Sequence, residues 1–316
     1  MNGHILALSG GVGGAKLASG LCAVLPPEQL TIAVNTGDDF EHLGLTICPD
    51  LDSVTYALAG LNDTVRGWGV ADETWQALDM VKQLGGPDWF NLGDRDLGLH
   101  LTRAMHLRNG ESLSEVTARI TRQLGIAHRV VPMSDDAVRT QVQTDAGWLD
   151  FQHYFVREQC RPEVRGVRFE GTGTARPSQG LAEALARPDL VGVVICPSNP
   201  WLSVDPILAL SGVRDRIAAL PVVAVSPLVG GTALKGPLAK LMAELGQPVS
   251  NLALAEHYDG LLDQLVIDET DAADAADLRA TGLSATVTQT VMRDGVDREK
   301  LAREVLALVS GVGGDE

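Results

Sequence analysis

Positive charge is scarce in this 316-residue chain: 25 lysines and arginines stand against 41 aspartates and glutamates, a formal net charge of −16. Such a surface repels nucleic-acid phosphate and anionic lipid, so no nucleic acid and no membrane are expected as partners. Any anionic ligand must then be held locally, by backbone N–H groups, a few cations or a bound metal ion. Cysteine is scarce too. Cys22, Cys48, Cys160 and Cys196 form no C-x-x-C pair and have no histidine spacing that suggests zinc, so they read as reduced thiols. Apolar runs are short, none approaching the roughly 20 residues that span a bilayer. The opening stretch 4–8 breaks at Gly10 and Gly11, too short for a signal peptide. A cytoplasmic protein is the expectation. Repeats and low-complexity tracts are also missing, apart from a mild Asp/Ala bias over 268–280.

What is present is ordinary globular composition, 45% hydrophobic with 34 glycines, in a chain long enough for a full core. Short apolar runs bounded by glycine, proline, serine or asparagine lie at 5–8, 30–34, 190–195, 222–225 and 265–267. They alternate with helical patterns, which is the mark of βαβ units and a parallel sheet. Residues 74–124 read as mainly helical, with Ser112 and Glu115 spaced as a capping box. Residues 129–133, 139–143 and 164–169 look like short strands with exposed alternate positions. No proline- or serine-rich linker marks a boundary. The expected architecture is therefore a single α/β catalytic domain with a doubly wound, mainly parallel core from 1–61 and 186–316 and an inserted, largely helical region at 62–185.

The strongest local signal is Ser9-Gly10-Gly11-Val12-Gly13-Gly14-Ala15-Lys16, between the first strand and a helix expected to begin near Ala15. Glycines there let backbone approach a diphosphate while helix N–H groups point at it. Alone, such a turn is often just tight packing; its context favours phosphate binding. It is not a P-loop, because Lys16 is followed by Leu17 and Ala18, and the dinucleotide fingerprint does not fit in register, which disfavours a nicotinamide dehydrogenase. Asn35-Thr36-Gly37-Asp38-Asp39 ends the second strand, and Pro49-Asp50-Leu51-Asp52 follows, which puts four carboxylates in loops where open α/β sheets hold ligands. Oxygen-only donors suit magnesium. Alternatively Asp50 caps the helix over 51–61 and Asp38 makes an Asx-turn.

Further on, Trp89, Phe90 and Asn91 offer a wall and a hydrogen-bonding point for a planar ligand; the plainer reading of the adjacent Asp94 or Asp96 is a helix cap paired with Arg95. Pro197-Ser198-Asn199-Pro200 ends another strand, and Lys235 or Lys240 could counter substrate charge, or simply be solvated. No histidine pairs with a serine or cysteine nucleophile in sequence, so triad hydrolysis is discounted.

Taken in order with Arg66-Gly67-Trp68-Gly69, Glu73-Thr74-Trp75, Pro132-Met133-Ser134-Asp135-Asp136 and residues 226–240, these motifs resemble the 2-phospho-L-lactate transferase family of coenzyme F420 biosynthesis over nearly the whole chain. The resemblance implies a Rossmann-like three-layer α/β/α core, magnesium dependence and a homodimer. Its reaction is attack by the deazaflavin alcohol Fo on a guanosine diphosphate ester of a three-carbon acid, with release of GMP. Carried over residue by residue, Gly10, Gly11, Gly13, Gly14 and Lys16 face the diphosphate, with Ser198 and Asn199 on the guanosine side. Asp38 and Asp50 bind the metal, Asp50 is the catalytic residue, and Asp50 with Asn91 lies against Fo. Asn91 stands where some members carry lysine. The competing class is a sugar-nucleotide-binding regulatory protein, whose relatives lack a Pro49-Asp50-Leu51-Asp52 counterpart. Lactate, enolpyruvate and glycerate are not distinguished by these motifs.

Overall fold

The computed structural model describes residues 3–233 and 236–312. Its centre is a seven-stranded sheet built from β1 (His4–Ser9), β2 (Leu30–Val34), β5 (Arg129–Pro132), β9 (Leu190–Ile195), β10 (Val222–Val225), β13 (Gln264–Asp268) and β14 (Ser284–Thr288). The spatial order is β14-β13-β10-β9-β1-β2-β5, and every neighbouring pair is parallel. Three smaller antiparallel pieces complete the strands: β3 (Phe40–His42) with β4 (Leu45–Ile47), β6 (Arg139–Thr144) between β7 (Gly147–Asp150) and β8 (Gly166–Glu170), and β11 (Leu228–Val229) with β12 (Thr232–Ala233).

Alternation along β1 makes the layers. Ile5 and Ala7 enter one buried cluster, with Leu17 and Leu21 of α1 (Gly11–Val24) and Leu301 and Val305 of the C-terminal helix Gly295–Val312. Leu6 and Leu8 enter the other, with Leu181 from the helix Gln179–Leu185 and Ile217 from Val213–Ile217. Helices thus cover both faces, as a parallel sheet requires. Each fully buried leucine or isoleucine contributes roughly 1.5–3 kcal/mol relative to exposure.

Residues 62–185 are mostly helical at first: α3 (Gln76–Gln83), α4 (Asp94–Arg108) and α5 (Leu113–Gln123), the last opened by the reciprocal Ser112–Glu115 capping box. That span is not wholly separate from the core, because β5 lies within it and pairs with β2 at the edge of the central sheet. The chain winds outward from β1 through β2 to β5, then returns to the other side of β1 with β9. The strand order reverses between β1 and β9, and such switch points open a crevice at the carboxyl ends of the strands.

Candidate functional site

The glycine turn leaves β1 into that crevice. The helix starts earlier than Ala15: Gly10 is its extended N-cap and Gly11, at φ +64°, is its first residue. Three of the four glycines are demanded by protein contacts. A Cβ at Gly13 would lie 2.4 Å from the carbonyl oxygen of Pro197, one at Gly14 would meet the hydroxyls of Ser198 and Ser9 at 2.6 and 2.7 Å, and one at Gly10 would strike Ser203 and Asp50. Only at Gly11 is the space open, and there the left-handed backbone favours glycine. The turn is close-packed against the loop after β9, and two of its N–H groups are taken. Gly10 donates to Ser198 Oγ at 3.0 Å and Gly11 to Asp50 Oδ1 at 2.6 Å.

Asp50 is not in a loop. It is the second residue of α2 (Pro49–Ala59), whose N-cap is Cys48, so it does not cap this helix. Its carboxylate instead spans two helix starts, its own and that of α1, where backbone partial charge favours an anion. Oδ2 accepts from Asn35 Nδ2 at 2.9 Å, and the Ser203 hydroxyl donates as well. The same Asn35 amide reaches Asp38 Oδ1 at 3.3 Å, while Gln152 Nε2 donates to Asp38 Oδ2 at 2.9 Å. Asp38 makes no Asx-turn. Asn35 does, its Oδ1 accepting from Gly37 N at 2.8 Å.

One asparagine therefore holds two buried carboxylates side by side. Burial, with Asp50 and Asp39 nearby, pushes the Asp38 carboxyl well above the usual range, and burial lifts Asp50 to about 6. Among the described residues none of their hydrogen-bond partners is a cation. This chemistry fits a divalent ion of the magnesium type, which takes one or two carboxylates plus phosphate and water oxygens. Among the described residues no group of three or more His, Cys, Asp or Glu side chains gathers as a metal site.

The other two carboxylates of the sequence motifs turn away. Asp52 forms a buried ion pair with Arg103 of α4, beside His100, and Tyr56 donates to Asp96, which also contacts His100 Nε2 at 3.1 Å. Asp39 points to the same side, raised to about 8 by burial although Cys48, Arg139 and Arg103 pull it down. Asp94 caps not its own helix but α3, accepting from the N–H groups of Gln76 and Ala77, and neither Asp94 nor Asp96 pairs with Arg95.

An aromatic wall borders the carboxylate pair. Phe40 follows Asp38 and Asp39, and His153 follows Gln152; between them stand Trp89, 4.8 Å from the His153 ring and 5.7 Å from Phe40, and Phe90, 4.8 Å from Phe40. Asn91 is exposed at its margin and has no hydrogen bond to Asp50. Four buried polar atoms around the crevice, Ser9 Oγ, Thr36 Oγ1, Thr140 Oγ1 and Asn199 Nδ2, have no hydrogen-bond partner among the described residues, a condition that ligand atoms would relieve. Ser198 is occupied with Gly10, and Asn199 Oδ1 caps the turn at Leu202. Lys16 points elsewhere, donating to the Met292 carbonyl at 2.9 Å. Lys240 is bound to Glu244 and the Pro162 carbonyl, away from this site, and Lys235 lies outside the described residues. Asn35, Gln152, Ser203, Thr36 and Thr140 were not assigned roles from sequence. Asn35 had a signal, its place directly after a buried strand; Thr140, on β6, and Gln152, in the helical segment after β7, are distant in sequence and had none.

Fold and site together define a doubly wound α/β protein with a ligand crevice at its switch point and a carboxylate pair beside it. The family model for 2-phospho-L-lactate transferase CofD matches residues 5–309, and the chain belongs to that family of transferases. A phosphoenolpyruvate transferase of Kitasatospora aureofaciens is 39% identical over 98% of this chain and 98% of its own length. A 2-phospho-L-lactate transferase of Methanosarcina mazei is 37% identical, covering 96% and 99%. Among solved structures, a UPF0052-family protein of Bacillus halodurans superposes with a TM-score of 0.63 at 16% identity, covering 97% of this chain and 99% of that one, a likeness of fold. No helix among the described residues is long and apolar enough to cross a membrane.

Proposed function

We propose that this transferase moves a phospho-three-carbon-acid group from its guanosine diphosphate ester to Fo, releasing GMP, in coenzyme F420 biosynthesis. The observation that carries the reading is the Asp38–Asp50 pair, two buried carboxylates held together by Asn35 with no cation bonded to them among the described residues, at the switch-point crevice. The two relatives above, transferases of a phosphoenolpyruvate and a phospholactate group by name, support the reaction class.

In this reading Asp38 and Asp50 hold magnesium, which when bound supplies positive charge against the phosphate oxygens. The Fo hydroxyl attacks phosphorus, the bond from phosphorus to the GMP oxygen breaks, and the hydroxyl proton is lost. The oxygens of Asp50 already accept from Gly11, Asn35 and Ser203, so its part is to hold charge at a fixed point; the base is another group. The aromatic wall of Phe40, Trp89, Phe90 and His153 suits the flat deazaflavin ring, with Asn91 at its edge. Ser9, Thr36 and Asn199 offer their unpartnered atoms to the nucleotide ester.

A homodimer is proposed as well, supported by Leu101 and Met105, about half exposed one turn apart on α4, and so is a cytoplasmic location. The experiment is GMP release on mixing Fo with the guanosine diphosphate esters of lactate, enolpyruvate and glycerate, with and without chelator. Fo-dependent release that stops in EDTA and returns with magnesium supports the reading. Release in chelator removes the metal. Nucleotide binding without turnover of any ester favours the sugar-nucleotide-binding alternative.

A further inference from the structure

Two turns among the described residues are π-helical, His153–Arg157 and Pro200–Val204. Such wide turns are rare and recur at functional sites. Each lies beside the carboxylate pair: Gln152, which donates to Asp38, directly precedes the first, and Ser203, which donates to Asp50, lies within the second.

The second turn is thinly bonded within itself. The Asn199 carbonyl accepts from Ser203 N at 2.9 Å and from Val204 N at 3.3 Å, and Asn199 Oδ1 accepts from Leu202 N at 3.3 Å. Its inner side meets the site at three points. Ser203 reaches Asp50, the Leu202 carbonyl accepts from the Asn35 amide at 3.3 Å, and Ser203 packs where a Cβ on Gly10 would lie. Because Asn35 joins Asp38 to Asp50, the turn touches the pair both directly and through that amide.

On the outer side His257 holds the same turn twice. The buried Trp201 ring lies 4.0 Å from the His257 ring, centroid to centroid, and His257 Nε2 donates to Oδ2 of Asp205, the residue after the turn, at 2.9 Å. His257 ends the helix Asn251–His257, which is anchored on its own account. Ser250 caps its start, Asn251 Nδ2 donates to Asp274 at 3.0 Å, and Arg214 donates to the Tyr258 carbonyl at 2.5 Å. An imidazole carried on a fixed helix and clamped against both a ring of the turn and its last neighbour decides where the turn's inner side chains point. His257 itself makes no hydrogen bond to Asp38, Asp50 or Asn35 among the described residues, so it acts through the turn.

We propose that His257 is a positioning residue: by packing on Trp201 and pairing with Asp205 it aims the Ser203 hydroxyl at Asp50, and so fixes the donors of the carboxylate pair from outside the crevice. Its effect on turnover rests on the transfer reading above; its hold on the turn does not.

Hydrogen exchange and kinetics test it together. In His257→Ala, amide exchange over residues 199–205 should quicken by about tenfold or more while exchange in β1 and β9 stays as in the wild type, which shows that the fold is kept. On the same preparation kcat for GMP release should fall by about tenfold, with KM for Fo unchanged. His257→Gln keeps an amide that can donate to Asp205 and should recover most of both losses. Ser203→Ala should lower kcat to the same extent as His257→Ala, and the double variant should be no slower than Ser203→Ala alone, because both changes remove one thing, the hydroxyl on Asp50. Losses that multiply in the double variant, or wild-type exchange over the turn in His257→Ala, overturn the proposal. Failure of the transfer reading looks different: no GMP release by the wild type, with exchange over the turn still responding to His257→Ala.

Discussion

Asp50 and Asp52 leave the same helix two residues apart, and both are buried, yet they live in opposite electrostatic worlds. Asp52 meets a guanidinium: Arg103 pairs with it, and the same arginine reaches the Thr46 carbonyl and His100. Asp50 meets only amide, hydroxyl and backbone donors, and its neighbour across Asn35 is another carboxylate. The chain places an arginine against one buried aspartate and, among the described residues, no cation against the other pair; in the function proposed above, that separates a structural charge from a charge kept for a ligand. On that proposal, the residue that serves stability is internally neutralised and the residues that serve binding are incomplete.

The contrast breaks most violently on the Asp52 side. Arg103→Met removes the countercharge from a buried carboxylate, and the expected loss is about 3–5 kcal/mol in urea unfolding, the usual cost of orphaning one partner of a buried pair. A loss below about 1 kcal/mol would mean that the pair is not the clamp between α2 and α4. The second effect concerns the glycine turn, which the structure reads as packing against Pro197. Gly13→Val should destabilise the fold by about 1–3 kcal/mol, the cost of overpacking, instead of selectively weakening nucleotide binding. An unchanged melting temperature with lost GDP affinity would restore the phosphate-loop reading of that position.

On the Asp50 side the expected effects are smaller in stability and carry a pH signature. Burial raises the folded-state value of Asp50 to about 6, above the ordinary carboxylate range, so between those values the folded chain holds more protons than the unfolded one. Stability without divalent ion should therefore fall as pH rises from about 4 to about 6, and the contribution of Asp50 should level off above that. Magnesium should restore part of it, by RT ln(1 + [L]/Kd), and more at pH 8 than at pH 5 because protons and cation compete. A melting temperature indifferent to magnesium at every pH, with and without nucleotide, would contradict the donor set. The smallest effect is expected at Asn91: alanine there should leave stability unchanged and weaken Fo binding by about tenfold or less, since one exposed hydrogen bond is at stake.

The sequence shows the buried strands of this fold better than its edges. β1, β2, β9, β10 and β13 are continuous apolar runs, and their positions follow from that alone. β14 reads Ser-Ala-Thr-Val-Thr with one buried residue, and β5 sits between helices and hairpins, so neither announces that it belongs to the central sheet. At the site, the motifs around residues 10, 38, 50 and 198 do converge. Local spacing did not tell which way each side chain points. Asp38 and Asp50 face the crevice while Asp39 and Asp52 face Arg103, and that division depends on α4 and on Gln152, which reach the loop from more than 50 residues away in sequence. Nor did spacing show that Lys16 turns to the Met292 carbonyl, a contact across 276 residues.

The central claim, that Asp50 is a charge held for the reaction and not for the fold, is tested most directly by Asp50→Asn with turnover and melting temperature measured on the same preparation. Asparagine keeps the shape and one acceptor but loses the negative charge, so GMP release in the presence of Fo should fall by about a hundredfold or more. The melting temperature should stay within a few degrees, because a lost hydrogen bond, about 1 kcal/mol, is offset by removing a buried uncompensated charge. Wild-type turnover in this variant, or collapse of its fold with no loss of specific activity in what remains folded, would contradict the account.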